Sequence, residues 1–248
     1  MAARSAAKLT SLTMVETMTM RGIPLPGGGG LTPGASTDGG LGNGSLTMRA
    51  NISMRLRPAL LADVAIHMNI GARSVTIDEI LTSRAIYLKA PGVLPTRGAK
   101  PWAKISLASL PNGMSLRKLF QRTQNGNPLT AMGSPSALSK FLAAAKHLKV
   151  VRDQTVDGVA TTEYSGTLNL RSLASEMPAA ERNLVRSSGL GTIPFRVWID
   201  HQHYLRKMVM RLAFGKALIA LTANITSINK PVRIVPPPAS QVSVISHP

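Results

Sequence analysis

Three stretches of the chain carry the Ser-x-x-Lys spacing found in one class of acylating serine enzymes. They lie at Ser5–Lys8, Ser115–Lys118 and Ser227–Lys230. In those enzymes the tetrad works together with Ser-Asp-Asn and Lys-Thr-Gly motifs, and this chain contains neither. Gly-x-Ser-x-Gly, Walker-loop and His-Glu-x-x-His motifs are also absent from the sequence. Acyl-transfer, nucleotide-hydrolysing and zinc-protease chemistries are therefore unsupported.

Histidines and paired carboxylates are the remaining candidates for chemistry. The run His201-Gln202-His203 could share a metal ion, but no third histidine lies near it in the sequence. We interpret it as a solvated hairpin turn. Asp153 and Asp157 flank another predicted turn, where aspartate is favoured because it hydrogen-bonds the backbone. The sequence predicts no enzyme, no cofactor and no metal site.

Glu16 is the unusual carboxylate. It has the same parity as Leu12, Met14 and Met18 on the first predicted strand, so alternation would place it on the apolar face. An inward glutamate could bind a polar group of a ligand. A shift in strand register, or a position at the rim of the sheet, is the favoured interpretation.

The charge balance indicates an anionic neighbour. The chain has 29 basic and 11 acidic residues and a net charge of +18, with the basic residues spread along its length. Sheet proteins that bind single-stranded nucleic acid stack bases on exposed aromatic side chains, and aromatic residues make up only 4% of this chain. We therefore predict no nucleic-acid partner and consider an anionic membrane surface instead.

Long strands must position any site. From Ser45 to Arg57 apolar and polar residues alternate almost without interruption, so the apolar side chains share one face of a strand. The pattern returns at Ala62–Ile70, Leu205–Phe214 and Leu218–Ile228. Several long strands with one apolar face predict a large antiparallel sheet whose apolar face must be covered.

Either helices of the chain alone or helices together with a hydrophobic ligand could cover that face. Methionine is flexible and polarisable, and the 12 methionines suit an interior that adapts its shape, although they could also simply fill a core. We predict a hydrophobic cavity lined by eight residues of the apolar face: Met48, Ile52, Met54, Ile66, Met68, Met208, Met210 and Leu212.

The remaining segments predict one α+β domain over residues 1–242, followed by a tail at 243–248. A Gly-rich stretch at 24–44 is interpreted as a flexible loop, and Asp157-Gly158 as a tight hairpin turn. Helical signals at 114–148 and 172–188 predict a helical cover over the sheet. They include a stripe through Leu138, Phe141, Leu142, Ala145 and Leu148.

Several segments, in order, resemble one protein family. They include Lys100–Ile105, Asp157–Leu168, Ile193–Asp200, Leu205–Met208 and Asn229–Val232. The chain resembles actinobacterial envelope lipoproteins of the LppX/LprG type, which are related to the LolA lipoprotein carriers. The resemblance implies a strongly curved antiparallel half-barrel with helices over its concave face, and a lipid or acyl-chain ligand between sheet and helices. It implies no catalytic residues.

The sequence departs from that family at its start. The chain contains no cysteine, so it lacks the lipidated cysteine of the family, and Met1–Lys8 lacks the apolar core of a secretory signal. We nevertheless expect an extracytoplasmic, monomeric protein of the cell envelope that binds or transports a hydrophobic ligand. The alternative is a structural or signalling protein of the same fold whose core is filled by its own helices.

Overall fold

The computed structural model describes residues 9–22, 45–93, 100–107, 141–142, 145–169, 191–214 and 217–245. These residues form twelve strands: β1 (Ser11–Arg21), β2 (Leu46–Arg55), β3 (Leu61–Ile70), β4 (Arg73–Leu81), β5 (Ala85–Lys89), β6 (Trp102–Ser106), β7 (Ala145–Val156), β8 (Val159–Asn169), β9 (Thr192–Asp200), β10 (Leu205–Phe214), β11 (Ala217–Ile228) and β12 (Val242–Val244). A short 3-10 helix, Ala239–Gln241, precedes the last strand.

All twelve strands belong to one open sheet with the order β12-β6-β5-β4-β3-β2-β1-β11-β10-β9-β8-β7. Strands β1 to β6 follow one another as a meander, and so do β7 to β11. The antiparallel pairing of β1 with β11 joins the two meanders. Every pairing is antiparallel except that of β12 with β6, so the predicted large antiparallel sheet is confirmed.

Turn residues explain where the hairpins close. Asp157 and Gly158 between β7 and β8 both have positive φ, at 47° and 79°. That combination matches the twist of a two-residue hairpin, as the sequence predicted. Gly71 between β3 and β4 also has a positive φ of 58°. A glycine there avoids the steric cost that a side chain would bring.

One hydrophobic cluster forms the core, and its members lie on a single face of the sheet. We call this the core face and define it by Leu12, Met14, Ile52, Met54 and Met208, each at most 5% exposed. Residues of opposite parity, such as Arg49, Asn51 and Arg196, lie on the other face, which we call the polar face. The predicted division of the strands into an apolar and a polar side is confirmed.

The predicted helical cover lies mostly outside the described residues. So does the Gly-rich segment 24–44. Within the described part of the cover, Phe141 and Leu142 have helical backbone and pack against the core, and the Phe141 ring meets the Phe195 ring edge-on at 4.7 Å. No helix that covers the sheet is seen among the described residues.

Two predicted boundaries are wrong. Residues 145–148 were expected to end a helix but begin β7, because Ala145 and Lys146 pair with Leu168 and Thr167 of β8. The tail predicted from residue 243 is also partly strand. Val242–Val244 form β12 against β6, and the Ile245 N–H donates to the Lys104 carbonyl at 2.9 Å.

Candidate functional site

The strand register brings the eight predicted cavity residues onto the core face. All eight have the parity of the core cluster, and each is either a member of that cluster or lies in cross-strand register with core-face residues. Whether they contact a ligand remains a prediction.

Three of these side chains, together with two neighbouring ones, form a continuous line across the sheet. Met68 lies opposite Met48, Met48 opposite Met18, Met18 opposite Leu221, and Leu221 opposite Met210. We call these five residues the methionine row. The row crosses β3, β2, β1, β11 and β10 at right angles to the strands. Its side chains are close neighbours because they lie directly opposite one another in antiparallel pairs.

Burial changes along the strands. Met14 on β1 and Ile52 on β2 lie opposite each other and are 1% and 5% exposed. Four residues further along β1, Met18 is only half-buried, as is Met48 opposite it. On β1 and β2 the core face thus has a closed end and a partly open end that begins at Met18 and Met48.

Among the predicted contact residues, this gradient separates two groups. Ile52, Met54, Met208 and Met210 are buried members of the core cluster. Met48, Ile66, Met68 and Leu212 are only partly buried. A side chain that still has free surface can contact a ligand without rearrangement, so the second group is the more accessible part of the candidate site.

Glu16 lies in the middle of the core face, and the preferred interpretation of a register shift or rim position is wrong. It is 2% exposed and sits between Ala50 on β2 and Ala223 on β11, both small and buried. The β1 irregularity falls between Thr13 and Met14 and concerns only the pairing with β11. Alternation alone placed Glu16 correctly.

Glu79 is a second carboxylate on this face, and its place there was not predicted from the sequence. It pairs with Val64 on one side and Leu88 on the other, and burial raises the pKa of its carboxyl above the ordinary value of 4.5. Its parity with Val75, Ile77 and Leu81 was the signal that could have revealed it. The apolar core face therefore carries two acidic side chains.

Polar candidates from the sequence have structural roles. His201, Gln202 and His203 are exposed and form the turn between β9 and β10, as predicted. Asp200 accepts hydrogen bonds from the backbone N–H groups of Gln202 and Tyr204, both at 2.9 Å. Within the described ranges, no three histidine or acidic side chains come together as a metal site would require.

A cavity of about 620 Å³ lies against β7 to β10. It is lined by Lys149, Ser165, Arg196, Trp198 and Arg211 among other residues, most of which belong to the polar face. None of the eight predicted contact residues lines it. This cavity is therefore separate from the candidate site on the core face, and the sequence analysis did not foresee it.

Comparisons with known proteins found similar solved structures at low sequence identity. No protein-family model and no curated protein matches it. Among solved structures, it aligns with the lipoprotein LppX of Mycobacterium tuberculosis at 19% identity and a TM-score of 0.45, covering 94% of this chain and 96% of that chain. LprF from Mycobacterium bovis aligns at 14% identity and a TM-score of 0.46, with 95% and 92% covered.

A third aligned structure is a putative outer membrane lipoprotein-sorting protein domain from Vibrio parahaemolyticus. It has 8% identity and a TM-score of 0.26, with 94% of this chain and 92% of that chain covered. LppX, LprF and this domain are thus structural neighbours of the chain, in agreement with the resemblance found in its sequence. Among the described residues, no helix has the length and apolar character needed to cross a bilayer.

Proposed function

We propose that the chain is a non-enzymatic carrier that binds a lipid or another acyl-chain ligand on the core face of its sheet. The observation that carries the proposal is the methionine row. Met68, Met48 and Met18 are adjacent on three strands, apolar, and only partly buried. Half-covered apolar side chains in a continuous line offer an acyl chain a surface to lie along.

Burial of hydrocarbon supplies the binding free energy in this proposal. Each CH₂ group removed from water contributes about 0.8 kcal/mol, so an acyl chain needs apolar walls and few hydrogen bonds. Methionine suits such walls because its unbranched thioether side chain adapts to irregular shapes. Met48, Ile66, Met68 and Leu212 are the proposed first contacts, and the buried group Ile52, Met54, Met208 and Met210 lies beside them on the same face.

Both carboxylates of the core face lie within a few residues of this acyl-chain surface, measured along and across the strands. Glu16 is two residues before Met18 on β1, and Glu79 is two residues after Ile77, which lies opposite Ile66. Residues two apart on a strand point to the same side. A polar head group at the methionine row would therefore meet Glu16 or Glu79 as its nearest acidic neighbours.

The location and the partners in this proposal follow from the family that the sequence resembles. We propose that the protein acts as a monomer outside the cytoplasm, in the bacterial cell envelope, and that its net charge of +18 favours an anionic membrane surface. Exposed basic residues of the polar face, such as Arg49 and Arg196, belong to that positive surface.

A second candidate is a structural or signalling protein of the same fold with a filled core. The closed end of the core face favours it, because Leu12, Met14 and Met208 are each 1% exposed and leave no surface there for a ligand. In that case the partly open end would be too small to take up an acyl chain.

Native mass spectrometry of the purified protein, together with uptake of a fluorescent fatty acid, separates the two candidates. A carrier would retain co-purified lipid or show saturable uptake with one dominant affinity. If the protein melts cooperatively but shows neither co-purified lipid nor saturable uptake, the filled core is supported and the carrier proposal is removed.

A further inference from the structure

The cavity on the polar face has the composition of a ligand site. Its volume of about 620 Å³ falls within the range of roughly 300–1,000 Å³ found for small-molecule pockets. Strands β8, β9 and β10 form its floor, and His147 and Lys149 from the edge strand β7 line one side. It lies on the sheet face opposite to the methionine row.

Positive charge dominates the lining. Lys149, Arg196 and Arg211 contribute three cations, and the lining residues that the structure describes include no carboxylate. Neither Lys149 nor Arg211 makes an ion pair with another described residue. Like charges held together in this way repel one another, so an anion between them would relieve the repulsion.

Arg196 is held in place beside the cavity by a buried carboxylate. Glu163 is 0% exposed, and it accepts hydrogen bonds from Arg196 Nη1 at 3.3 Å and Arg152 Nε at 3.2 Å. A guanidinium has five N–H donors in a planar fork. Because Glu163 engages one nitrogen of Arg196, the others remain for a ligand at the cavity while the side chain stays oriented.

The walls combine apolar surface with unused donors. Pro194, Trp198 and Val209 provide the apolar part. The Trp198 side chain is buried beneath Lys207, whose Nζ lies 5.0 Å from the ring centroid, and its indole nitrogen has no hydrogen-bond acceptor among the described residues. The hydroxyl of Ser165 likewise makes no hydrogen bond within the described part of the chain.

We propose that this cavity binds an organic phosphate, meaning a phosphate group attached to an apolar or aromatic body. A phosphate monoester carries up to two negative charges and three acceptor oxygens, which matches three cations and a hydroxyl donor better than the single charge of a carboxylate. The apolar walls would contact the body of the ligand. This site is separate from the acyl-chain site and does not depend on it.

Titration with phenyl phosphate, followed by tryptophan fluorescence, tests the proposal. The chain has two tryptophans, so a Trp102→Phe background leaves Trp198 as a single reporter in the cavity wall. We expect a saturable change in emission. Calorimetric titration of the unsubstituted protein provides a second measurement that does not depend on the reporter.

Charge-removing variants locate the site. Lys149→Ala and Arg211→Ala should each weaken phenyl phosphate binding about tenfold, the usual scale for losing one charged hydrogen-bond partner. Arg49→Ala removes an exposed arginine from β2, outside the cavity, and should leave the affinity unchanged.

Three outcomes would overturn the proposal. No saturable binding by either method would remove the site altogether. Equal weakening by Arg49→Ala and Arg211→Ala would mean diffuse charge attraction. Inorganic phosphate binding as tightly as phenyl phosphate would remove the organic part of the assignment.

Discussion

Met48 on β2 lies directly opposite Met18 on β1, and both side chains are half-buried. Four residues away on the same two strands, Ile52 and Met14 are also opposite each other but almost fully buried. A single strand pair therefore contains both a packed region and an accessible region of the core face. Substitutions at the two positions should have opposite consequences for stability and for ligand uptake.

Met48→Trp should abolish uptake of a fluorescent fatty acid while changing the free energy of unfolding by no more than about 0.5 kcal/mol, because the larger side chain fills space that is open. Ile52→Trp should instead destabilise the fold by about 1–3 kcal/mol, because it overfills a packed region. Thr47→Trp, on the polar face next to Met48, is the matched control and should affect neither property. Normal uptake by Met48→Trp would contradict the proposed site.

Gly166→Ala should destabilise the protein by about 1–3 kcal/mol, since a new Cβ would lie 2.8 Å from Cζ of Phe195, which is itself only 2% exposed. The ring cannot retreat freely because Phe141 packs edge-on against it. Chemical denaturation would measure the loss. The double variant Gly166→Ala/Phe195→Leu should recover part of it, and an equally unstable double variant would show that the contact is not the cause.

Glu79→Gln should change how stability depends on pH. Burial raises the pKa of this carboxyl above its ordinary value of 4.5, so the folded state keeps a proton that the unfolded chain has already released. Stability then falls as pH rises from the ordinary value through the raised pKa, and levels off above it. The amide cannot ionise, so that component should vanish from denaturation curves measured across this pH range.

The control for Glu79 is Gln202→Asn, a conservative change of a residue without an ionisable group in the exposed turn between β9 and β10. It should leave the pH profile as it is. If Glu79→Gln and the unsubstituted protein differ in stability by the same amount at every pH, the carboxyl does not titrate in the expected way.

Binding to vesicles should rise with their content of anionic lipid, because the net charge of +18 attracts an anionic surface. High salt should weaken binding to anionic vesicles steeply, since the Debye length shrinks from about 10 Å at 0.1 M to about 3 Å at 1 M. Co-sedimentation with neutral and anionic vesicles measures both effects. Equal binding to the two would refute a role for the charge at membranes.

Local alternation was enough to identify most of the sheet. Strand side chains alternate between two faces whatever the strand pairs with, so Leu46–Arg55 and Leu205–Phe214 were recognisable as strands, and the parity of their methionines placed those side chains on one face. The same rule turned Glu16 inward, where it lies in the structure, although a register shift or a rim position was the favoured interpretation.

Pairing between distant segments decided the rest. Residues 145–148 carry apolar side chains at a spacing that suits a helix, yet they join β7 because β8 offers them a partner strand. The segment Val242–Val244 is too short for an alternating pattern to be recognised in the sequence. It becomes a strand only because it pairs with β6. The phosphate-binding cavity likewise needs β7 to β10 side by side, since Lys149, Arg196 and Arg211 come from three different strands.

The sequence alone determined which residues share a face, because that depends on the geometry of a single strand. Which strands are neighbours, and what their side chains enclose, was decided by the tertiary structure, because both depend on contacts between residues far apart in the chain.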